Sequence, residues 1–403
     1  MVTVTGVDDA EVDGDVAYTV NFTVMSGDAN YEGLAVDPVE LINQDNDGGA
    51  PQPPAPPPEP PPPAPQPPPA PPPPPPEPPP PAPQPPPAPP PPPPEPPPPA
   101  PPPAPTPTPP PAPPPAPPGN HVLYIERGAV TITASEITGA GATSIPIWGF
   151  STEAVPGSGM SPGPVIEALV GQTITIDVIN DDAVDHRFEI EGLLTGTDTI
   201  IGGDVASFTV TPTEAGIYRY GDPDARSRAM GLYGALVVRP ADGSDTAWEN
   251  GPAFDQERTW VVTDMDKTWN DTLWFNPVPP TYNPNYFLMN GKNGFAAKQD
   301  PLSTLEGSVG EVFLVRIINA GQYDQALHFH ANHFQVLSQD GVKVSDVADA
   351  PWVTTVNVKR GSTAMVLYTL DKPGTYPVHV HSAHMETGNG VYLNGTATHI
   401  IAQ

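Results

Sequence analysis

Short runs of alternating apolar and polar residues fill the C-terminal part of the chain. They are rich in Val, Ile and Thr, and Gly, Pro, Asn and Asp punctuate them at regular intervals. A period of two without a helical period predicts short antiparallel strands, and many such strands predict an all-β fold of packed sandwiches. The predicted strands are 173–180, 207–213, 234–240, 259–265, 311–319, 333–339, 352–360 and 363–370.

The N-terminal residues 1–50 carry a second, smaller strand pattern. Val2–Val7 is rich in Val and Thr, and the stretch 17–25 alternates, with an acidic turn between the two. We therefore predict a small β segment. Hard cations prefer clustered oxygen ligands, so the acidic turn is a possible calcium site, with a solvated acidic turn as the alternative. The candidate calcium ligands are Asp9, Glu11, Asp13 and Asp15.

A proline tract separates this segment from the rest of the chain. Residues 51–118 repeat with an 18-residue period marked by Glu59, Glu77 and Glu95. Proline fixes the backbone angle φ and removes a hydrogen-bond donor, so the tract is predicted to form a polyproline II linker that acts as a stiff spacer. A Pro- and Asp-rich stretch near 240–255 marks a further boundary. The predicted domains are therefore 1–50, 51–118, 119–242 and 243–403.

Composition excludes several classes of function. A formal net charge of -31 argues against nucleic-acid partners and anionic membrane surfaces. The chain has no cysteine, which excludes disulfides, thiol nucleophiles and the thiolate of a blue-copper centre. No apolar run is long enough to predict a membrane span, and the first thirty residues show no signal-peptide pattern.

Histidine is the residue type that points to chemistry. Six of the nine histidines lie in ALHFHANHF and YPVHVHSAH, and each segment contains a His-x-His pair. Alternation places both rings of a pair on one face of a strand, and neutral imidazoles suit copper, zinc, nickel or iron. The predicted metal ligands are His328, His330, His379 and His381, with His333 and His384 as additional candidates. We predict structural roles for the remaining His121, His186 and His399.

These segments resemble the multicopper oxidase family. The similarity extends over residues 145–401 and includes IPIWGF, MGLYGALVV, YFLMNGKNG and both histidine segments. It implies two tandem cupredoxin-like Greek-key sandwiches, a copper cofactor and a secreted or cell-surface location. Two-domain laccases and copper nitrite reductases, which have the same organisation, are homotrimers, so the resemblance also implies a homo-oligomer. Residues 1–50 resemble part of a Calx-beta-like repeat.

The resemblance assigns roles in the second sandwich. His328 and His330 match the second and third histidines of the family's His-Pro-x-His-x-His segment, and His379 and His381 match its His-Cys-His segment. These four positions serve the family's trinuclear copper cluster. At the blue-copper positions, His384 is retained one residue closer than usual, while the other ligands are replaced by Gln325, Val380 and Asn389. The resemblance therefore implies that the blue-copper centre is absent.

The first sandwich departs from the family pattern as well. Glu189 and Glu191 stand where the family has His-Trp-His-Gly, and 221–223 replaces the second His-x-His pair. All four first-domain copper ligands are thus lost, and the two glutamates become the possible catalytic residues.

Three hypotheses follow from these patterns. The first is an extracellular copper-binding protein with limited oxidoreductase activity at the histidine-rich centre. The second is a structural, filament-forming or adhesion protein that uses the sandwiches as a scaffold and assembles through unpaired strands of the N-terminal segment. The third is a zinc or mixed-metal hydrolase with a glutamate as general base. Whether the protein is an enzyme stays open at this point.

Overall fold

The computed structural model describes residues 16–20, 38–43, 119–275 and 280–403. The chain divides into two units, residues 1–109 and 110–403. In the first unit, β1 (Val16–Val20) pairs antiparallel with β2 (Val39–Asn43). β1 overlaps the predicted stretch 17–25. The predicted strand at 2–7, the four candidate calcium ligands and the proline tract lie outside the described residues.

Eight strands of the second unit build a first sandwich. One of its sheets has the order β4-β3-β6-β8, and the other has the order β5-β10-β9-β7. A short helix lies between β9 and β10. The elements are β3 (Asn120–Ile132), β4 (Thr143–Ser151), β5 (Ile166–Leu169), β6 (Ile174–Asn180), β7 (Glu189–Ile190), β8 (Val205–Val210), β9 (Gly216–Gly221), α1 (Ala225–Ala229) and β10 (Tyr233–Arg239).

The remaining strands build a second sandwich. The first of its sheets runs β12-β11-β14-β20-β16-β17, with β18 also on β16, and the second runs β13-β24-β21-β15-β19. β22 and β23 form a small ribbon. The elements are β11 (Gln256–Met265), α2 (Lys267–Phe275), β12 (Tyr286–Met289), α3 (Gly294–Lys298), β13 (Leu305–Gly307), β14 (Val312–Asn319), β15 (Gln325–Phe329), β16 (Phe334–Gln339), β17 (Val342–Lys343), a 3-10 turn (Val347–Asp349), β18 (Trp352–Val353), β19 (Thr355–Val358), β20 (Thr363–Thr369), β21 (Gly374–Val380), β22 (Thr387–Gly388), β23 (Val391–Tyr392) and β24 (Ala397–Ala402).

The predicted all-β class is confirmed, and every predicted run in the second unit contains a strand. One detail is wrong, because not all pairs are antiparallel. The pairs β3–β6, β5–β10, β11–β14 and β13–β24 are parallel. Successive strands cross between the two sheets of a sandwich, so strands that are distant in the sequence become neighbours, and their relative direction cannot be read from a local pattern. Among the described residues, no helix is long and apolar enough to cross a membrane.

Alternating side chains create the core of each sandwich. In β6, for example, Ile174, Ile176 and Val178 are buried while Thr175 and Asp177 between them are partly exposed. Aromatic side chains supply much of the buried volume. They include Phe150, Phe188 and Tyr220 in the first core and Trp260, Phe313, Phe329 and Tyr368 in the second.

A third apolar layer lies between the two sandwiches. Side chains of β9 and β10 pack against β11, β14, β16 and β20, so that Tyr233 and Val237 share a cluster with Leu314 and Ile318. The helix α2 crosses this boundary, because its Trp269 is buried in the core of the first sandwich. The two sandwiches are therefore held together by buried apolar surface, which favours a fixed orientation.

Candidate metal centre

The centre is built on two neighbouring strands of the second sandwich. β15 and β21 pair antiparallel with His328 directly opposite His379. Since side chains alternate along a strand, Leu327, Phe329, Val378 and Val380 point into the core and the histidines point to the other face. Backbone hydrogen bonds extend the pairing, as His330 N–H donates to Pro377 (3.1 Å) and His381 N–H donates to Ala326 (2.7 Å).

The four imidazoles form one cluster, as the sequence predicted from their spacing. His328 is at its middle, with ring centroids 4.8 Å from His330, 5.7 Å from His379 and 5.2 Å from His381. The Nε2 atoms of His330 and His379 are 3.1 Å apart. Two ring nitrogens from different strands thus face each other at the open side of the cluster.

Two further side chains contact the Nδ1 edges of the His328 and His379 rings. Thr355 of β19 is in register with His328, and its Oγ1 lies 2.8 Å from His328 Nδ1. The Glu386 carboxylate lies 2.6 Å from His379 Nδ1. With Nδ1 engaged, the Nε2 atom of His328 is left for a ligand and the Nε2 atom of His379 is directed towards His330, which is how outer partners orient metal-binding histidines. The sequence analysis predicted a role for neither Thr355 nor Glu386. For Glu386 the only signal was a carboxylate seven positions after His379, and for Thr355 there was none.

The environment favours the neutral form of His328 and His330. Burial, together with the nearby His379 and His381 rings, lowers the pKa of His328. Burial and the neighbouring His328 ring likewise lower the pKa of His330. A neutral imidazole keeps a nitrogen lone pair available to a metal, so both rings stay competent as ligands to lower pH than an isolated histidine.

The additional candidates His333 and His384 are both exposed. The His384 ring packs edge-on against Phe287, with centroids 5.0 Å apart. No contact within the described part of the chain joins either ring to the four central histidines, and their role as ligands stays a prediction.

The two candidate glutamates lie on the first sandwich. Glu189 Oε1 accepts a hydrogen bond from Gly196 N–H (2.8 Å), and Glu191 pairs with Arg219 (3.1 Å). Neither makes a contact with the four central histidines among the described residues of this one chain. A catalytic role for them stays a prediction.

The positions of the replaced blue-copper ligands are occupied by core and turn residues. Val380 is fully buried in the apolar core, and Gln325 is fully buried beside Thr396, whose hydroxyl donates to its side-chain oxygen (3.3 Å). Asn389 lies in a turn with a positive φ and accepts a hydrogen bond from Asn285 (3.0 Å).

The residues present fit a copper ion by the chemistry of their donors. Four imidazoles, with two Nε2 atoms in contact, are ligands that copper accepts without a thiolate. Over the ranges that the structure describes, no group of three or more His, Asp or Glu side chains stands in the arrangement of a formed metal site. Binding therefore requires the rings to turn from their mutual edge-on packing towards a shared point.

Comparison with known proteins shows which family the second sandwich is similar to. The sequence profile described as Multicopper oxidase matches residues 261–396, which include all four central histidines. Laccase-11 of Arabidopsis thaliana is 26% identical over 242 residues, covering 54% of this chain and 42% of the relative. Laccase-9 of the same plant is 24% identical over 239 residues, covering 54% of this chain and 38% of the relative.

Solved structures show the same architecture. The blue copper oxidase from Nitrosomonas europaea matches with a TM-score of 0.57 and 20% identity, covering 70% of this chain and 85% of that one. The copper nitrite reductase from Nitrosomonas europaea matches with a TM-score of 0.53 and 19% identity, covering 70% and 93%. The chain thus has a cupredoxin-like fold, and its residues 261–396 are similar to the multicopper oxidase family. It spans less than half the length of the plant laccases that it matches.

Proposed function

We propose that this protein is a multicopper-oxidase-like copper-binding protein without a blue-copper site. The observation that carries the proposal is the convergence of His328, His330, His379 and His381 on one face of two paired strands. Because the nitrogens that face each other belong to both strands, a copper ion held there would tie β15 to β21. The match of residues 261–396 to the multicopper oxidase profile supports copper as the metal.

The chain itself argues against a blue centre. It contains no cysteine, and the side chain at the corresponding strand position, Val380, has no metal-binding atom and is buried in the core. A blue-copper centre depends on a cysteine thiolate for its electronic structure. The polypeptide therefore lacks the inlet through which larger electron donors are oxidised in the family, and limited oxidoreductase activity on small molecules is what we propose.

The protein residues have defined tasks in this proposal. The four histidines would hold the metal, and Thr355 and Glu386 hold the orientation of the His328 and His379 rings from the Nδ1 side. A bound copper ion would supply redox chemistry at the open side of the cluster. His330 and His381 are exposed there, so a small molecule can reach the centre from solvent.

Metal analysis of the full chain tests the proposal. After copper loading and dialysis we expect one or two copper ions for each wild-type chain, in agreement with the size of a four-imidazole set. His328→Ala and His379→Ala should each reduce the retained copper by more than half. The visible spectrum of the loaded protein should show no intense blue band.

A matched control is His399→Gln, which removes a partly buried histidine on β24 outside the cluster and should leave the copper content unchanged. Equal copper content in the wild type and in both alanine variants would contradict the proposed centre. An intense blue band would contradict the absence of the blue site.

Two other expectations remain predictions. One is assembly, either into a homo-oligomer such as a trimer, as the resemblance implies, or through unpaired strands of the N-terminal β segment. The other is a secreted or cell-surface location.

A further inference from the structure

A cavity of about 560 Å³ lies on the first sandwich, away from the histidine centre. Its walls come from the segments around His186 and Asp222 and from the helix α2 of the second sandwich, which contributes Leu273 and Trp274. The volume is in the range of pockets that enclose small organic ligands. None of the four central histidines is among the residues that line it.

Three guanidinium groups line this cavity in a chain whose net charge is -31. Arg127 is bound by Asp182 (3.0 Å), and Arg226 lies 3.5 Å from Asp224. Arg187 is a half-buried residue and differs from both, because its guanidinium has no hydrogen bond or ion pair to any described residue. A guanidinium without a protein partner presents donors arranged to receive a carboxylate.

The acidic groups of the same cavity are already engaged. Asp222 accepts the N–H of Asp224 (2.9 Å) and faces His186 Nδ1 at 3.0 Å. Burial alone would raise the pKa of Asp222, but the hydrogen bonds from His186, Asp224 and Ser227 hold that pKa below its ordinary value, so the carboxylate is ionised. Asp185 accepts the N–H of Gly202 (3.3 Å). Asp224, the third acidic residue of the lining, accepts the N–H of Arg226 (2.8 Å). Each lining carboxylate thus accepts at least one hydrogen bond, whereas the Arg187 side chain has no partner among the described residues, which favours an anionic ligand over a cation.

The aromatic side chains that line the cavity indicate which kind of anion it would accept. Trp148 is nearly buried, and the Arg127 guanidinium is stacked over the Trp274 ring at 4.6 Å from its centroid. In the same wall, the buried Trp148 Nε1 and His186 Nε2 atoms have no hydrogen-bond partner among the described residues. Stacked planar surfaces favour a planar ligand, and Leu273 and Val184 add apolar contact.

We propose that this cavity binds a small aromatic carboxylate, with the carboxylate on Arg187 and the ring against Trp274. The proposal is independent of copper, because it uses none of the four central histidines. The helix α2 of the second sandwich forms one wall of the cavity. Binding of the carboxylate therefore also requires the two sandwiches to be packed as observed.

Calorimetric titration of the full-length protein with sodium benzoate tests this assignment. We expect saturable binding of benzoate, and Kd values at least tenfold higher for acetate, which lacks the ring, and for benzamide, which lacks the charge. Arg187→Gln should raise the Kd for benzoate about tenfold or more, as expected for loss of a charge-assisted hydrogen bond. Trp274→Leu should raise the Kd for benzoate and leave the Kd for acetate unchanged.

The control variant is Arg360→Gln, which removes an exposed arginine outside this cavity and should bind benzoate like the wild type. Arg187 has no protein partner, so its replacement should leave the melting temperature unchanged, which separates loss of binding from loss of folding. Absence of saturable benzoate binding by the wild type, or equal binding by Arg187→Gln, would overturn the proposal. Equal affinity for acetate and benzoate would overturn the assignment to aromatic ligands.

Discussion

The side chains of Glu386 and Thr355 determine how two of the central imidazoles can face a metal. Each engages the Nδ1 edge of a ring, His379 and His328 respectively. An ionised carboxylate can only accept a hydrogen bond, so the Glu386 contact favours the tautomer of His379 with its proton on Nδ1. The Nε2 lone pair is then directed towards His330.

Glu386→Gln should change the tautomer of His379. An amide can donate as well as accept, so the preference for Nδ1–H weakens, and nitrogen NMR of the metal-free protein near pH 8 should show a larger Nε2–H fraction. Copper affinity should fall about 10- to 100-fold, the usual cost of losing an outer partner. Glu249→Gln, at an exposed glutamate far along the chain, is the control. An unchanged tautomer in the metal-free variant would refute this positioning role whether or not copper binds.

Among the secondary-structure elements, the segment between β21 and β22 carries Glu386. Backbone hydrogen bonds join this segment to the residues just before β24. Gly395 N–H donates to the Glu386 carbonyl (3.0 Å), and Thr396 N–H donates to the Met385 carbonyl (3.1 Å). A Cβ atom on Gly395 would overlap the carbonyl oxygen of Met385. The close approach of these two backbones therefore requires glycine.

Gly395→Ala should destabilise the fold and displace Glu386 together. We expect a loss of about 1–3 kcal/mol in the free energy of unfolding, the typical cost of forcing extra volume into a packed site. Chemical denaturation followed by fluorescence measures it. Gly119→Ala is the matched control, because its Cβ would meet no atom closer than 3.9 Å. Equal stability of the two variants would show that the 382–386 segment can move freely.

For the molecule as a whole, the apolar layer between the two sandwiches determines whether they unfold in one cooperative transition. Besides that layer, a chain of ion pairs crosses the boundary, in which Glu257 of β11 binds both Arg239 of the first sandwich (2.5 Å) and the fully buried Arg316 of the second. Because the buried surface between the two sandwiches is apolar, we expect the two sandwiches to unfold together.

Leu314→Ala, in the middle of this layer, should lower stability by about 2–5 kcal/mol while both sandwiches still unfold in one transition. Site-resolved hydrogen exchange checks the second part, since amides of β6 and β14 should lose protection at the same denaturant concentration. Separate transitions for these two strands would show that the sandwiches are independent. Leu302→Ala, at an exposed leucine, should have little effect on either quantity.

The sequence by itself determined the strand content and which histidines share a face of each strand. Alternation is a local property, so β6, β14 and β20 and the shared face of each His-x-His pair could be predicted from neighbouring residues. The absence of cysteine likewise settled that no thiolate is available.

Only the tertiary structure decided which strands pair and what surrounds each site. The parallel pairs, the register of Thr355 with His328, and the contact of Glu386 with His379 join segments through pairing and packing across the sheet. The aromatic and arginine-lined cavity joins residues 127, 187 and 274 from two sandwiches. Such contacts depend on the packing of the whole unit, and a local period of two carries no information about which remote strand will supply them.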